Sequence, residues 1–397
     1  MKKDNIIFGS PNIDQAEIDE VVECLKSGWL STGPRVQKFE KAFSEYTGAK
    51  HALAVNSCTA GLHLGLLAAG VGPGDEVITT PLTFGATANV IVHVGAIPIF
   101  VDVDSKNMNI DPDQIEAAIT PRTKAIIPVH FAGYPCDLDA IIKIAEKHDL
   151  WILSDAAHAV EGRYKGKHVG SIKHLAVFSF YVTKNLVIGE GGMITTNIDF
   201  WTEKIKILAL HGLNQGAWAR YSDEGFKHYQ VILPGFKYNM MDMQAALGLH
   251  QLKKIETRLK RREAIWARYD EAFAKMPCTL PPRPGPNVKH ARHLYTLLID
   301  KEDAGINRHD FQNELHKRGI GTGIHFISLH LHPYYRNRFN FKSDQFPVSK
   351  FISDRTISLP LSAKLTDSEV ERIIQTVVSI LRVAAGAARL PDASNVA

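Results

Sequence analysis

Short apolar runs alternate with amphipathic stretches through the first half of the chain. The runs predict buried strands at His51–Val55, Glu76–Thr80, Ile97–Val101, Ala125–Val129, Trp151–Ser154, Ala176–Phe180 and Met193–Thr196. Apolar positions at helical spacing fill several gaps between them, as over Gly61–Ala69 and Leu138–His148. Parallel strands need crossover connections, and a helix is the usual one. The alternation therefore predicts an α/β fold with a mostly parallel sheet and helices on both faces. A longer helical pattern runs from Asp242 to about Lys275, with Ala245, Ala246, Leu249 and Leu252 in register. The Pro-rich segment Pro277–Pro286 reads as a linker. Beyond it, a strand pattern at Leu294–Ile299 and helical patterns at Arg308–Lys317 and Asp367–Val383 predict a smaller α/β unit. The division expected is 1–255, an N-terminal segment and large domain, and 256–397, a connecting helix and small C-terminal domain. The tail from Ala384 to Ala397 is expected to fray.

A chain of 397 residues, 45% hydrophobic, can bury more than one core. The net charge of +4 comes from mixed signs without a basic stripe, which points away from nucleic acid. Lys253-Lys254 and Arg258 to Arg262 fit a solvated helix face. The four cysteines have no CxxC spacing, so neither a disulfide framework nor a metal site is expected. With no signal-like leader and no apolar run of membrane-spanning length, the location expected is cytoplasmic.

Candidate chemistry collects at the ends of the predicted strands. Lys184 follows the run ending at Phe180, in a loop that closes on Gly189-Glu190-Gly191-Gly192. Asp155 ends the neighbouring run. Alone, such a lysine is ordinarily solvated and such an aspartate a helix cap. Together they suit pyridoxal phosphate, whose aldehyde a lysine holds as a Schiff base and whose ring nitrogen a carboxylate keeps protonated. Asn56-Ser57-Cys58-Thr59-Ala60-Gly61 leaves a strand and opens a helix, where backbone N–H groups and the helix dipole suit a phosphate. Phe84, after another strand, could stack on a flat ring or belong to the core. His158 could meet the cofactor's phenolic oxygen, orient Asp155, or be structural. Ser179 could reach the phosphate or bond to backbone. Local pattern assigns no role to Lys237 or Asn239.

These segments, with Ser27-Gly28-Trp29-Leu30-Ser31-Thr32-Gly33-Pro34 and Gly235 to Leu247, resemble the fold-type I, pyridoxal phosphate-dependent nucleotide-sugar aminotransferases from Phe8 to about Leu381. Gly235-Phe236-Lys237-Tyr238-Asn239, Ile126-Ile127-Pro128-Val129-His130 and Gly319 to Phe326 look closest to the branch that makes UDP-4-amino-4-deoxy-L-arabinose from UDP-4-keto-pentose. Relatives that aminate 4-keto-6-deoxyhexoses share much of this pattern.

The resemblance implies a mostly parallel seven-stranded sheet plus a smaller C-terminal domain. It implies Lys184 as the catalytic lysine, Asp155 at the ring nitrogen, His158 near the phenolic oxygen and Phe84 on the ring. Cys58, Thr59 and Ser179 would hold the phosphate, with Asn239 reaching it from the second subunit of a homodimer. Thr32, His325 and Tyr334 are the candidate sugar contacts, and L-glutamate the amino donor. Two departures stand out. Cys58 replaces a usual Gly or Ala, and Phe84 stands where the pentose branch can carry Trp. A non-catalytic regulator on the same fold is the alternative of another class. A dehydratase relative carries histidine in place of the lysine, and a nicotinamide-binding fold would need a GxGxxG absent after the early strands. Lipopolysaccharide, lipid A modification included, O-antigen and antibiotic sugars are the pathways this resemblance leaves open.

Overall fold

A computed structural model describes residues 5–214 and 229–388 of the protein. Its centre is a seven-stranded sheet of β1 (His51–Val55), β2 (Glu76–Thr79), β3 (Ile97–Phe100), β4 (Thr123–Ile126), β5 (Trp151–Asp155), β6 (Leu175–Ser179) and β7 (Gly192–Thr196). The spatial order is β1-β7-β6-β5-β4-β2-β3. The ladders from β3 to β6 are parallel, and β7 runs antiparallel to both β1 and β6. Nearly every strand residue is buried, because helices cover both faces.

Helix α1 (Gln15–Ser27) opens with a capping box between Asp14 and Glu17 and ends at Gly28 in the left-handed region. Helix α2 (Pro34–Thr47) starts at Gly33, which offers no side-chain cap. The cap comes from far along the chain. The buried Asp242 carboxylate accepts the N–H groups of Gly33, Arg35 and Val36 at 2.9, 3.1 and 2.9 Å. Helix α3 (Cys58–Ala68) is capped by Ser57, whose hydroxyl accepts the Ala60 N–H at 3.1 Å. It is buried on nearly all sides, between the sheet, α4 (Gly85–His93) and later helices. A Cβ on Gly65 would come within 2.9 Å of Leu153 in β5, so glycine lets α3 lie close against the sheet. That proximity brings the start of α3 to the ends of β5 and β6. Helices α5 (Leu138–Lys147) and α6 (Asp199–Ala209) complete the layers.

The predicted helix from Asp242 to Lys275 is two helices, α7 (Asp242–Lys253) and α8 (Ile255–Phe273), broken at Lys254. Its basic stretch is not a solvated face throughout: Arg258 and Arg262 are buried, Arg262 against the buried Glu161 and Arg258 near Glu17. A separate apolar core forms around Tyr269, Tyr295, Phe311 and Val377. It includes the β8 (Tyr295–Leu298) and β9 (Thr356–Leu359) pair, α9 (Arg308–Lys317) and α10 (Asp367–Ala388). The fraying expected from Ala384 does not hold through Ala388, where α10 continues; the rest of that tail lies outside the described residues. Among the described residues, no helix is long and apolar enough to cross a membrane.

Candidate active site

A cavity of about 610 Å³ opens where the carboxyl ends of β5 and β6 meet the amino end of α3. This is where open α/β sheets place their ligands. Cys58, Thr59 and Ser179 line one part of its wall, Asp155, His158 and Lys184 another, with Phe84 and His325 also on it.

Cys58 and Thr59 sit in the first turn of α3, where N–H groups have no intrahelical acceptor. Gly192 of β7 makes this cradle possible, since a Cβ there would stand 2.7 Å from the Cys58 nitrogen. The Ser179 hydroxyl at the end of β6 accepts weakly from the Tyr181 N–H at 3.4 Å. The Ala60 and Gly61 N–H groups are taken by Ser57, so the N–H groups of Cys58 and Thr59, a hydroxyl and a missing Cβ form an anion site in general terms.

The Asp155 carboxylate is almost wholly buried. Its Oδ2 accepts the Thr87 hydroxyl at 2.8 Å and its Oδ1 accepts the Ala157 N–H at 3.1 Å. Burial raises its pKa, opposed by these donors and by the Lys184 charge. Lys184 lies in the turn after β6, its N–H donating to the Tyr181 carbonyl at 2.9 Å. Burial lowers its ammonium pKa to about 8, against the pull of Cys58 and Asp155. An amine with that pKa is still mostly charged near physiological pH but has a far larger neutral fraction than an ordinary lysine, which favours a nucleophile and proton carrier. His158 is held well below the usual histidine range by burial and then by the Lys184 charge, so it is neutral. Its ring lies 4.4 Å from that of His293 and stacks on Phe326 at 5.9 Å. His158 Nδ1 is buried without a hydrogen-bond partner. An orphaned atom of this kind costs about 1–3 kcal/mol, a deficit that a bound polar group can relieve.

The DegT/DnrJ/EryC1/StrS aminotransferase family matches residues 11–378. The chain belongs to this family. It is 51% identical over 376 residues to the spore coat polysaccharide biosynthesis protein SpsC of Bacillus subtilis, covering 94% of this chain and 97% of that one. The putative sugar aminotransferase Spr1654 of Streptococcus pneumoniae, solved in its PMP form, superposes with a TM-score of 0.89 at 37% identity, over 96% of this chain and all of that one. PseC of Helicobacter pylori, an aminotransferase involved in the biosynthesis of pseudoaminic acid, superposes with a TM-score of 0.88 at 32% identity, again over 96% and 100%. As a member of this aminotransferase family the protein is a pyridoxal phosphate-dependent enzyme. The cavity fits that cofactor by its helix-end cradle, its lowered lysine, its buried carboxylate and its orphaned imidazole nitrogen.

Not every candidate of this aminotransferase reaches the cavity within one chain. Thr32 donates to the Met240 carbonyl and accepts from the Asn239 amide, both at 2.6 Å, and neither Thr32 nor Asn239 lines the wall. Tyr334 is half exposed and lies edge-on to Tyr335, away from the lining. His325 does line it, with Nδ1 2.8 Å from the Ser358 hydroxyl and its ring stacked on Phe8. Burial takes its pKa down to about 3, so it too is neutral.

Sequence reasoning missed the residues behind the wall. Asn185, next to Lys184, donates to the Glu161 carboxylate at 2.8 Å and to the Ala291 carbonyl at 2.9 Å. Its carbonyl oxygen faces His293 Nδ1 at 3.1 Å. Both amide hydrogens are thus engaged, which leaves the oxygen as acceptor and puts the His293 proton on Nδ1. Glu161 is in turn paired with Arg262. No local motif marks these partners, which come from widely separated parts of the chain.

Proposed function

We propose that this protein is a sugar aminotransferase that moves an amino group from L-glutamate to the ketone of a 4-keto nucleotide sugar. The observation that carries this reading is the convergence of Lys184, Asp155 and the α3 amino end on one cavity, in a chain of this family. Bound pyridoxal phosphate supplies an aldehyde that carries the amino group and a ring that takes up electrons. Lys184 holds the cofactor and, once free, its Nζ takes the α-proton of the donor; in the second half it delivers a proton to the sugar carbon that bore the ketone. Asp155 balances the positive charge of the ring nitrogen. His158, neutral, stands beside the phenolic oxygen, and Phe84 lies against the ring face. The backbone of Cys58, with Thr59 and Ser179, holds the phosphate. Transfer in two halves predicts ping-pong kinetics.

A homodimer belongs to this reading, with Asn239 reaching the second subunit's phosphate site and Thr32, His325 and Tyr334 facing the sugar. Support comes from the exposed apolar side chains Ile18, Val22, Leu25 and Trp29 along and just after α1, a face suited to a second copy. Residues 1–255 form the large cofactor-binding domain and 256–397 the connecting helix and small domain, a division supported by the separate core that draws almost only on later residues. A cytoplasmic location fits the four free cysteines.

For the sugar, UDP-4-keto-pentose is the substrate suggested by the Gly235–Asn239 and Gly319–Phe326 segments, with lipopolysaccharide or lipid A as its context. Phe84, where the pentose branch can carry Trp, favours a second reading, a 4-keto-6-deoxyhexose. One experiment tests the common core. The visible spectrum of the reconstituted protein is expected to bleach on adding L-glutamate and to recover with an accepted keto sugar; UDP-keto-pentose and dTDP-keto-deoxyhexose are compared directly. Failure to bind pyridoxal phosphate would end the reading. Recovery with neither sugar would end its substrate part.

A further inference from the structure

Behind Asp155 runs a buried chain of two hydroxyls. Thr83 and Thr87 face each other one helical turn apart at the start of α4, Oγ1 to Oγ1 2.8 Å. Both are inaccessible to solvent or nearly so, and Thr83 lies on the cavity wall. Thr87 Oγ1 also lies 2.8 Å from Asp155 Oδ2. A hydroxyl has one proton, and an ionised carboxylate can only accept. With Asp155 ionised, as a partner of the ring nitrogen must be, Thr87 gives it its proton, and the proton between the two threonines comes from Thr83. The direction is single: Thr83 to Thr87 to Asp155. The other carboxylate oxygen accepts the Ala157 N–H, and the Cys58 thiol lies 3.9 Å away. With a donor on each oxygen, the arrangement suits the ionised carboxylate in one orientation.

We propose that Thr87, oriented by Thr83, is a positioning residue that holds Asp155 ionised and aimed into the cavity. This rests on the reading of Asp155 as the partner of the cofactor's ring nitrogen. Burial of a carboxylate among β-strand ends disfavours its charge, and the hydroxyl chain counters that disfavour through Asp155 Oδ2. Thr87 does not line the cavity and acts through Asp155; Thr83, which does line it, acts through Thr87.

The test uses the reconstituted full-length protein with Thr87→Val, Thr87→Ser, Thr83→Val and Asp155→Asn. Thr87→Val keeps the shape and removes the donor. A less ionised Asp155 leaves less positive charge on the ring, which then withdraws fewer electrons from the conjugated system and lets its other basic nitrogen keep a proton to higher pH. The pH at which the bound cofactor's visible band titrates is expected to rise by about one unit, and kcat to fall roughly tenfold or more. The KM for L-glutamate stays unchanged. Thr87→Ser restores both values, and Thr83→Val shifts the titration in the same direction by less. A wild-type titration in Thr87→Val, with Asp155→Asn impaired, overturns the relay alone. Wild-type behaviour in Asp155→Asn overturns the relay and the reading beneath it together. If Thr87→Val does not fold, Thr83→Val decides: an unshifted titration overturns the proposal, and an upward shift with Thr87→Ser intact supports it.

Discussion

The wall that in our reading faces the cofactor and the rim that in our reading faces the sugar are built differently. Cys58, Asp155, Ser179 and Lys184 stand at or just beyond the ends of a strand or a helix packed on the sheet, and one chain brings them all to one cavity. Of Thr32, His325 and Tyr334, only His325 reaches that cavity within the chain. Strand ends are fixed by hydrogen-bonded ladders, so side chains there are held on a rigid frame. The rim depends on loops and, in our reading, on a second copy. A mutation in the wall should therefore act through the cofactor in every half-reaction, and one in the rim through the sugar alone.

The sharpest test of that contrast is Lys184→Ala. It removes the covalent anchor and the proton carrier together, and turnover should fall by about 10⁴-fold or more, followed as amino-sugar formation. Substantial turnover in a verified preparation would sink the wall's central assignment. Asp155→Asn keeps the shape and loses the charge; kcat should drop on the order of 10²–10³-fold while some cofactor remains bound, measured by steady-state kinetics and absorbance. Ser179→Ala should weaken cofactor affinity roughly tenfold or more, the worth of one hydrogen bond to a charged group, read by fluorescence titration of the apoprotein. Tyr334→Ala is expected to leave cofactor affinity within about twofold, as for an exposed residue away from such features, and to raise the KM of the sugar only. A loss of cofactor in that variant would erase the distinction between wall and rim.

A pH experiment sharpens the same contrast. The nucleophile is the neutral amine, so the rate at which apoprotein captures pyridoxal phosphate should rise with pH and level off above a midpoint near 8, the lowered value for Lys184. A midpoint near the ordinary 10.5 would mean that the wall does not strip water from the lysine. His325, already neutral far above about 3, should contribute no step in that range.

Much of the frame was legible because buried strands are short apolar runs and their ends are where chemistry sits. β1 is found at the predicted bounds, and β2, β3, β5, β6 and β7 within a residue at either end. β4 is displaced towards the amino end, Thr123–Ile126 against Ala125–Val129, because Pro128 has no N–H and interrupts the ladder, which continues only as a single bridge from Val129 to Asp155. The break at Lys254 was hidden because apolar spacing persists across it. Arg258 and Arg262 were misread because composition cannot report a partner, and Glu161 is 101 residues from Arg262. The same holds for Thr87 and Asp155, 68 residues apart, and for Asn185 and His293. The residues proposed to touch the cofactor lay in motifs; those packed behind them were brought together by the fold alone.

The distant cap on α2 bears on how the chain comes off the ribosome. The helix is synthesised with a glycine at its N-cap and no local side chain to cap it, and the carboxylate that accepts its first N–H groups follows 206–209 residues later. At ordinary elongation speeds that is a delay on the order of 10–40 s. Throughout that interval the Ser31–Pro34 turn has no Asp242 to fasten it, and the first N–H groups of α2 are left to water until α7 emerges.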